Sequence, residues 1–391
     1  MIFMNKKLLF DLTSTQASPE AKFHGGAEYA KLVFHKAVEL RYSEQMVCFY
    51  YGKWELDSDI KRKCEQLGIE LISIEQKKDI NLLIKRDDIN GFYSAIPYGY
   101  HDLNMGEKKF IGTIHGLREI ECPGDFYEYK YRKGFISVVK AIIRSLVIPK
   151  YARVRRVREN ISKIFAYKNL KIITVSQHSK YSILANFPEI ESEQIIVIDS
   201  PYEFQVKKAN GENPLEKENP YFLLVSGNRW IKNSYRAIQA LDELITEKRL
   251  IQHKVIITGC DGYKLLQKVK NRDSFIFMGY VSSKELRHLF QRASYFIYPT
   301  LNEGYGYPPL MAFEFGIPVL ASGNTSIFEV CKNAAIYFDA NSISEIKTRI
   351  LRLYSDSHLR EKLVLNGFQI MEALKEKGDR AEEIVNEIFK K

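Results

Sequence analysis

Residues 298–330 read YPTLNEGYGYPPLMAFEFGIPVLASGNTSIFEV. Glu303, Gly304, Tyr305 and Gly306 form a glycine turn after an apolar run, and Pro308 and Pro309 then open a short helix closed by Gly316. Proline in a first helical turn and glycine past the last are ordinary helix punctuation. A turn of this kind presents backbone N–H groups at a helix N-terminus, where the peptide dipoles favour an anion such as a phosphate. Glu303 stands at that turn as an acceptor for sugar hydroxyls. A plain strand–turn–helix explains the glycines and prolines, but not an acid placed beside an anion site.

A second glycine signal, Gly25 and Gly26 after His24, follows the first apolar run and opens a helix. Glycine lets a ligand approach the backbone closely because it has no side chain. A plain helix-start turn explains the pair equally well. It is not a Gly-x-Gly-x-x-Gly fingerprint, and no Gly-Lys-Ser/Thr phosphate loop occurs, which argues against dehydrogenases and P-loop NTPases. Asp57, Ser58 and Asp59 resemble a metal-binding Asp-x-Asp, but they stand where a helix over 59–67 needs a cap. Five scattered cysteines, none in a Cys-x-x-Cys pair, fit a reducing cytosol and offer no metal cage.

These residues lie between alternating strands and helices. Short runs rich in Ile, Val, Phe and Tyr predict strands at 7–11, 46–50, 69–74, 91–96, 110–115, 171–176 and 194–199, then at 221–226, 254–258, 274–278, 295–298, 318–321 and 335–338. Continuous apolar runs suit parallel sheets covered on both faces. Helices are expected between them, including 27–41, 59–67, 234–247 and 283–292. The polar, proline-containing segment KKANGENPLEKENP at 207–220 reads as a linker. The expected organisation is a first α/β domain over 1–206, a linker over 207–219, a second α/β domain over 220–375 and a terminal helix over 376–391. Ligands of open α/β sheets bind at the carboxyl ends of strands, so a cleft between two such sheets is the expected place for chemistry.

The whole chain sets the frame. Its 391 residues suffice for two domains, and 45 % apolar and 27 % charged residues describe a folded globular protein. No apolar run reaches the roughly 18 residues of a membrane span, and the first ten residues lack the order of a signal peptide. The net charge is +10, yet residues 131–171 alone hold 12 Lys and Arg against one acid, Glu159, so the remainder sums to about −1. One basic segment, rather than a basic surface, argues against a general nucleic-acid binder. Within it Phe135, Val138, Val139, Ile142, Ile143 and Leu146 recur at helical spacing with Lys140 and Arg144 on another face, and Arg153, Arg155, Arg156 and Arg158 follow. A basic amphipathic stretch of this kind suits an anionic membrane surface or a pyrophosphate-linked lipid, and equally a core-facing helix with a solvated charged face.

The 298–330 stretch closely resembles the donor-binding motif of retaining family-4 glycosyltransferases of the GT-B fold, also called glycosyl transferases group 1, in which two glutamates stand eight apart. Further resemblance lies in LLVSGNRWIKN at 223–233, in 255–292 and in TVSQHSKY at 174–181. It implies two Rossmann-like domains facing each other across a cleft. Arg229 and Lys232 match the family's basic pair for the nucleotide diphosphate. The chemistry agrees, because charge develops on the departing diphosphate and fixed cations stabilise it. Gly25 and Gly26 resemble the family's loop near the donor phosphate, and His115, in TIHGLR, its cleft histidine beside the transferred sugar.

The sequence departs from the pattern at Met311, where the second glutamate should stand. Methionine accepts hydrogen bonds poorly. Either Glu314, one helical turn on, reaches the ribose, or the donor is a deoxyribose nucleotide such as dTDP-rhamnose. GDP-mannose and UDP-sugars are the alternatives.

The resemblance implies catalysis by His115, Arg229, Lys232 and Glu303. Donor contacts are expected from Gly25, Gly26, Arg229, Lys232, Glu303, Gly304, Tyr305, Gly306, Tyr307, Met311 and Glu314. Lys140, Arg144, Arg153, Arg155 and Arg156 are expected to face a membrane or the acceptor. The implied reaction is metal-free, retaining transfer from a nucleotide sugar to a glycan or lipid-linked oligosaccharide. It would occur in the cytoplasm or on the inner membrane surface, with no nucleic-acid partner. The missing glutamate leaves a non-catalytic nucleotide-sugar or glycan binder as the alternative.

Overall fold

The alternation of short apolar runs with amphipathic helices builds two parallel sheets. The structure, a computed structural model, describes residues 6–16, 25–132, 134–147, 150–204, 220–251, 253–262 and 265–390, without the side chains of 144–147. The expected linker and His24 lie outside the described residues, as does the side chain of Arg144.

The first unit comprises Met1–Leu117, Arg155–Tyr202 and Asp379–Lys391. Its strands are β1 (Lys7–Asp11), β2 (Met46–Tyr51), β3 (Glu70–Ile74), β4 (Ile89–Ser94), β5 (Lys109–Ile114), β6 (Asn169–Thr174) and β7 (Ile195–Val197). They pair in the order β3-β2-β1-β4-β5-β6-β7, all parallel. Met46, Val47, Cys48 and Phe49 of β2 are all buried, as expected for a strand covered on both faces. The last strand is shorter than the expected 194–199. The helix after β1 covers Gly25–Glu39, so Gly25 and Gly26 lie within it rather than in a turn before it.

The second unit comprises Arg118–Val154 and Glu203–Gly378. Its strands are β8 (Tyr221–Leu224), β9 (Lys254–Thr258), β10 (Phe275–Met278), β11 (Tyr295–Tyr298), β12 (Val319–Ser322) and β13 (Ala335–Phe338). Their order is β10-β9-β8-β11-β12-β13, again parallel throughout. The core of this unit packs Ile238, Leu241 and Leu244 of the Ser234–Thr246 helix against Phe222, Val255, Ile257 and Ile297 of the sheet. Each sheet reverses its winding once, between β1 and β4 in the first unit and between β8 and β11 in the second. Such reversal points are where open α/β sheets bind ligands.

The division differs from the expected one in two places. Residues 118–154, expected in the first domain, belong to the second unit. There Arg236 pairs with Asp125 at 2.7 Å, with both side chains under a tenth exposed. The Tyr235 N–H donates to the Tyr131 hydroxyl at 2.8 Å, and Tyr127 and Tyr131 pack on the core. The terminal helix, Arg380–Phe389, is not a separate element but a layer of the first unit. It buries Ile384, Val385 and Ile388, stacks Phe389 on Tyr42 with ring centroids 4.3 Å apart, and ties Glu387 to Lys171 at 2.6 Å. No helix among the described residues is long and apolar enough to cross a membrane.

Candidate active site

The loops after β8 and β11 flank the reversal point of the second sheet. After β8 the chain makes a turn of 3-10 helix, Trp230–Lys232, that ends on Asn233 in the left-handed region at φ 55°. Asparagine tolerates that conformation better than most side chains. Asn233 Nδ2 donates to the carbonyls of Pro299 at 2.9 Å and Ala340 at 2.7 Å, and its Oδ1 accepts from Arg236 at 2.8 Å. The Leu301 N–H donates to the Ile231 carbonyl at 2.8 Å, and Thr300 Oγ1 lies 3.1 Å from the same oxygen. These bonds zip the two loops together and set Lys232 against Glu303.

Lys232 Nζ lies 2.6 Å from Glu303 Oε1, with the two side chains 9 % and 12 % exposed, and it also donates to the Tyr298 hydroxyl at 2.9 Å. The Thr300 hydroxyl donates to the same Oε1 at 2.7 Å. Burial alone would raise the Glu303 carboxyl. The charges of Lys232 and Arg118 and the hydrogen bonds from Lys232 and Thr300 outweigh it and hold the group down at about 2. Burial pulls the Lys232 ammonium below the ordinary lysine value, against the pull of Glu303, and the like charge of Arg229 adds to the fall. Burial, then the neighbouring Arg118, likewise lowers the Arg229 guanidinium. The site is therefore a crowded set of cations around one ionised carboxylate.

The turn that carries Glu303 is clamped from below. The Glu303 N–H donates to Thr325 Oγ1 at 3.1 Å, and Ser326 Oγ donates to the carbonyls of Glu303 and Tyr305 at 3.0 and 2.8 Å. Gly306 adopts φ 121°, a backbone conformation that favours glycine, and a Cβ there would also press on Ile327 Cδ1 at 2.9 Å. The following helix is Tyr307–Glu314, with Pro308 and Pro309 at its start. Those prolines remove two of the N–H groups that a helix start leaves without intrahelical partners. The anion-binding character of this end thus rests more on the side-chain cations than the sequence alone suggests.

The sequence-predicted residues separate into groups. Arg229, Lys232, Glu303, Gly304, Tyr305, Gly306 and Tyr307 come together at the two zipped loops. On the helix that follows, Met311 is half-buried and Glu314 is buried. In the first unit, His115 follows β5. Its Nε2 lies 3.0 Å from the Ala95 carbonyl, which can only accept, so Nε2 carries a proton; the ring meets Tyr29 edge-on at 4.8 Å. Gly25 is exposed and Gly26 half-buried. Asp57 caps the Ser58–Gln66 helix, accepting from the N–H groups of Asp59 and Ile60, and pairs with Lys31 at 2.7 Å.

In the basic segment, Phe135–Val147 and Lys150–Phe165 are helices. Phe135, Ile136, Ile142, Ile143, Lys140, Arg155 and Arg156 are exposed, and Arg153 is half-buried. Arg155 pairs with Glu159 at 2.8 Å.

Sequence reasoning did not single out Tyr298, Thr300, Thr325 and Ser326, although all four stand in the stretch it quoted. It also passed over Arg118, three residues beyond His115, because only the tertiary fold brings that charge to Glu303.

Comparison with known proteins adds a family and a fold. Residues 206–369 match the family model for glycosyl transferases group 1. O-antigen chain mannosyltransferase B of Escherichia coli is 34 % identical over 142 residues, which cover 35 % of this chain and 37 % of that protein. O-antigen chain mannosyltransferase RfbU of Salmonella typhimurium strain LT2 is 31 % identical over 245 residues, covering 60 % of this chain and 62 % of that protein. The matched part thus spans less than two thirds of either relative. The crystal structure of Anabaena Alr3699/HepE in complex with UDP-glucose superposes with a TM-score of 0.67 at 14 % identity, covering 98 % of both chains. The chain accordingly has the GT-B fold of two Rossmann-like domains, and its residues 206–369 are similar to the glycosyl transferases group 1 family.

Proposed function

We propose that this protein is a retaining glycosyltransferase of family 4, moving a hexosyl group from a nucleotide-diphosphate sugar to a glycan acceptor in cell-surface polysaccharide synthesis. The observation that carries this reading is the Lys232–Glu303 pair, with Arg229 beside it, at the reversal point of the second sheet. The names of the two mannosyltransferases support it. In this reading Arg229 and Lys232 hold the diphosphate and stabilise its charge as the sugar–phosphate bond breaks. Glu303, kept ionised across the working pH range, accepts hydroxyl hydrogen bonds from the sugar. The amides around Gly304 to Tyr307 contact the same donor, as do Gly25 and Gly26. His115 contributes polar contact near the transferred sugar.

No carboxylate is assigned as a nucleophile. The departing phosphate takes the acceptor's proton on the face from which it leaves, a route that depends on positioning and charge stabilisation. The reaction is proposed to need no metal, and Asp57, being a helix cap paired with Lys31, is assigned no metal.

For the donor, the mannosyl relatives favour GDP-mannose. Met311, in place of a ribose-binding acid, favours a deoxyribose nucleotide such as dTDP-rhamnose. Titration with GDP, UDP and dTDP, with and without EDTA, distinguishes them. One nucleotide is expected to bind at least tenfold more tightly than the others, with no effect of the chelator. Preference for GDP or UDP removes the deoxyribose reading, and loss of binding in EDTA restored by Mn²⁺ removes the metal-free one. Failure of all three to bind contradicts the donor site itself.

The acceptor is proposed to be lipid-linked and met at an anionic membrane surface on the cytoplasmic side. The exposed Phe135, Ile136, Ile142 and Ile143 and the exposed Lys140, Arg155 and Arg156 support this.

A further inference from the structure

Arg118 opens a one-turn helix, Arg118–Glu121, that the second unit holds against the two site loops. Asn302, the neighbour of Glu303, donates through Nδ2 to Glu121 Oε2 at 2.6 Å. Cys122 packs against the small cluster of Ile231, Leu301 and Ala340, whose first two members are the residues next to Lys232 and Thr300. A few residues on, Asp125 forms its buried pair with Arg236 at 2.7 Å, and Arg236 also donates to Asn233, the residue after Lys232. The segment that carries Arg118 is therefore fastened to both loops at three points.

This segment brings the charge of Arg118 to the two loops. Its Nε is buried, with no hydrogen-bond partner in the protein, although a buried guanidinium N–H is costly to leave unpaired. Its charge acts on all three of Glu303, Lys232 and Arg229. The one carboxylate among those residues already pairs with Lys232. Among Arg118, Arg229, Lys232 and Glu303 the cations outnumber the carboxylate three to one. Burying like charges side by side is unfavourable unless an anion joins them, and two neighbouring phosphoryl groups supply an anion of that size and charge.

We propose that Arg118 is a third phosphate-binding cation of the site, contacting the diphosphate of the donor together with Arg229 and Lys232. This rests on the glycosyl-transfer reading. Arginine suits the task because its planar fork meets two phosphate oxygens in a fixed bidentate geometry, where a lysine ammonium acts as a point charge. Arg118 thereby joins the stabilisation of the charge left on the diphosphate when the sugar departs.

Isothermal titration of the full chain with GDP, UDP and dTDP, and with the corresponding monophosphates, tests the assignment in wild type, Arg118→Gln and Arg118→Lys. For whichever nucleotide the wild type binds, Arg118→Gln is expected to weaken the diphosphate by about tenfold or more. The monophosphate should change by less than about threefold, which also shows that the variant is folded, and Arg118→Lys should recover part of the loss. With a donor that is turned over, kcat should fall in the same order. Equal diphosphate affinity in wild type and Arg118→Gln would overturn the proposal, as would a loss confined to the KM of the acceptor. Failure of the wild type to bind any nucleoside diphosphate would instead overturn the glycosyl-transfer reading on which it rests.

Discussion

At the scale of residues, Glu303 converts its surroundings into a pH dependence. The fold favours its charged form, with the carboxyl at about 2 against an ordinary 4.5, so the unfolded chain binds this proton more tightly than the folded one. The stabilisation is therefore complete above pH 4.5 and lost as the pH falls to about 2. Urea unfolding of wild type and Glu303→Gln should show a stability difference that is constant above pH 5 and shrinks between about pH 4.5 and 2. A difference independent of pH in that range would show that Lys232 and Arg118 do not set the state of this carboxylate. Glu303 and its glycine turn were legible in the sequence because the motif is contiguous. Lys232 was legible only through the resemblance, since 70 residues of chain separate it from the turn. Arg118 was not legible at all, because no local pattern records a charge delivered from another part of the chain.

At the scale of elements, the turn before the Tyr307–Glu314 helix is the most constrained piece of the site. Gly306→Ala meets both a φ of 121° and the Ile327 side chain at 2.9 Å. It should cost about 1–3 kcal/mol of stability and lower nucleotide affinity, because the turn and the Glu303 backbone share the Ser326 clamp. Urea midpoints and nucleotide titration check both effects, and an unchanged affinity would separate the turn from the binding site. The strands were readable along the whole chain because most are short apolar runs, and central ones such as β8, β11 and β12 are buried on both faces. β1, β9, β11 and β13 matched the expected bounds and β7 did not, its expected run 194–199 including polar residues that leave the ladder. The affiliations of the Arg380–Phe389 helix and of residues 118–154 were hidden. An amphipathic pattern states that a face will be buried, not against which partner, and here the partners are Tyr42 and Lys171 in one case and Tyr235 and Arg236 in the other.

At the scale of the whole molecule, the net charge of +10 is concentrated in one segment whose helices leave Phe135 at 83 % and Ile136 at 70 % exposed. Apolar burial and basic charge should act together at an anionic bilayer. Flotation with vesicles of anionic lipid is expected to carry the protein upward at low salt and to weaken at high salt, and absence of binding at any salt would remove the membrane role. Handling of an activated sugar by the cations around Glu303 meets its most direct test in turnover. Purified protein incubated with a panel of GDP-, UDP- and dTDP-sugars should slowly release nucleoside diphosphate and free sugar from one of them. That rate should drop about a hundredfold or more in Glu303→Ala. Release from none of the donors, or an equal rate in the variant, would contradict it.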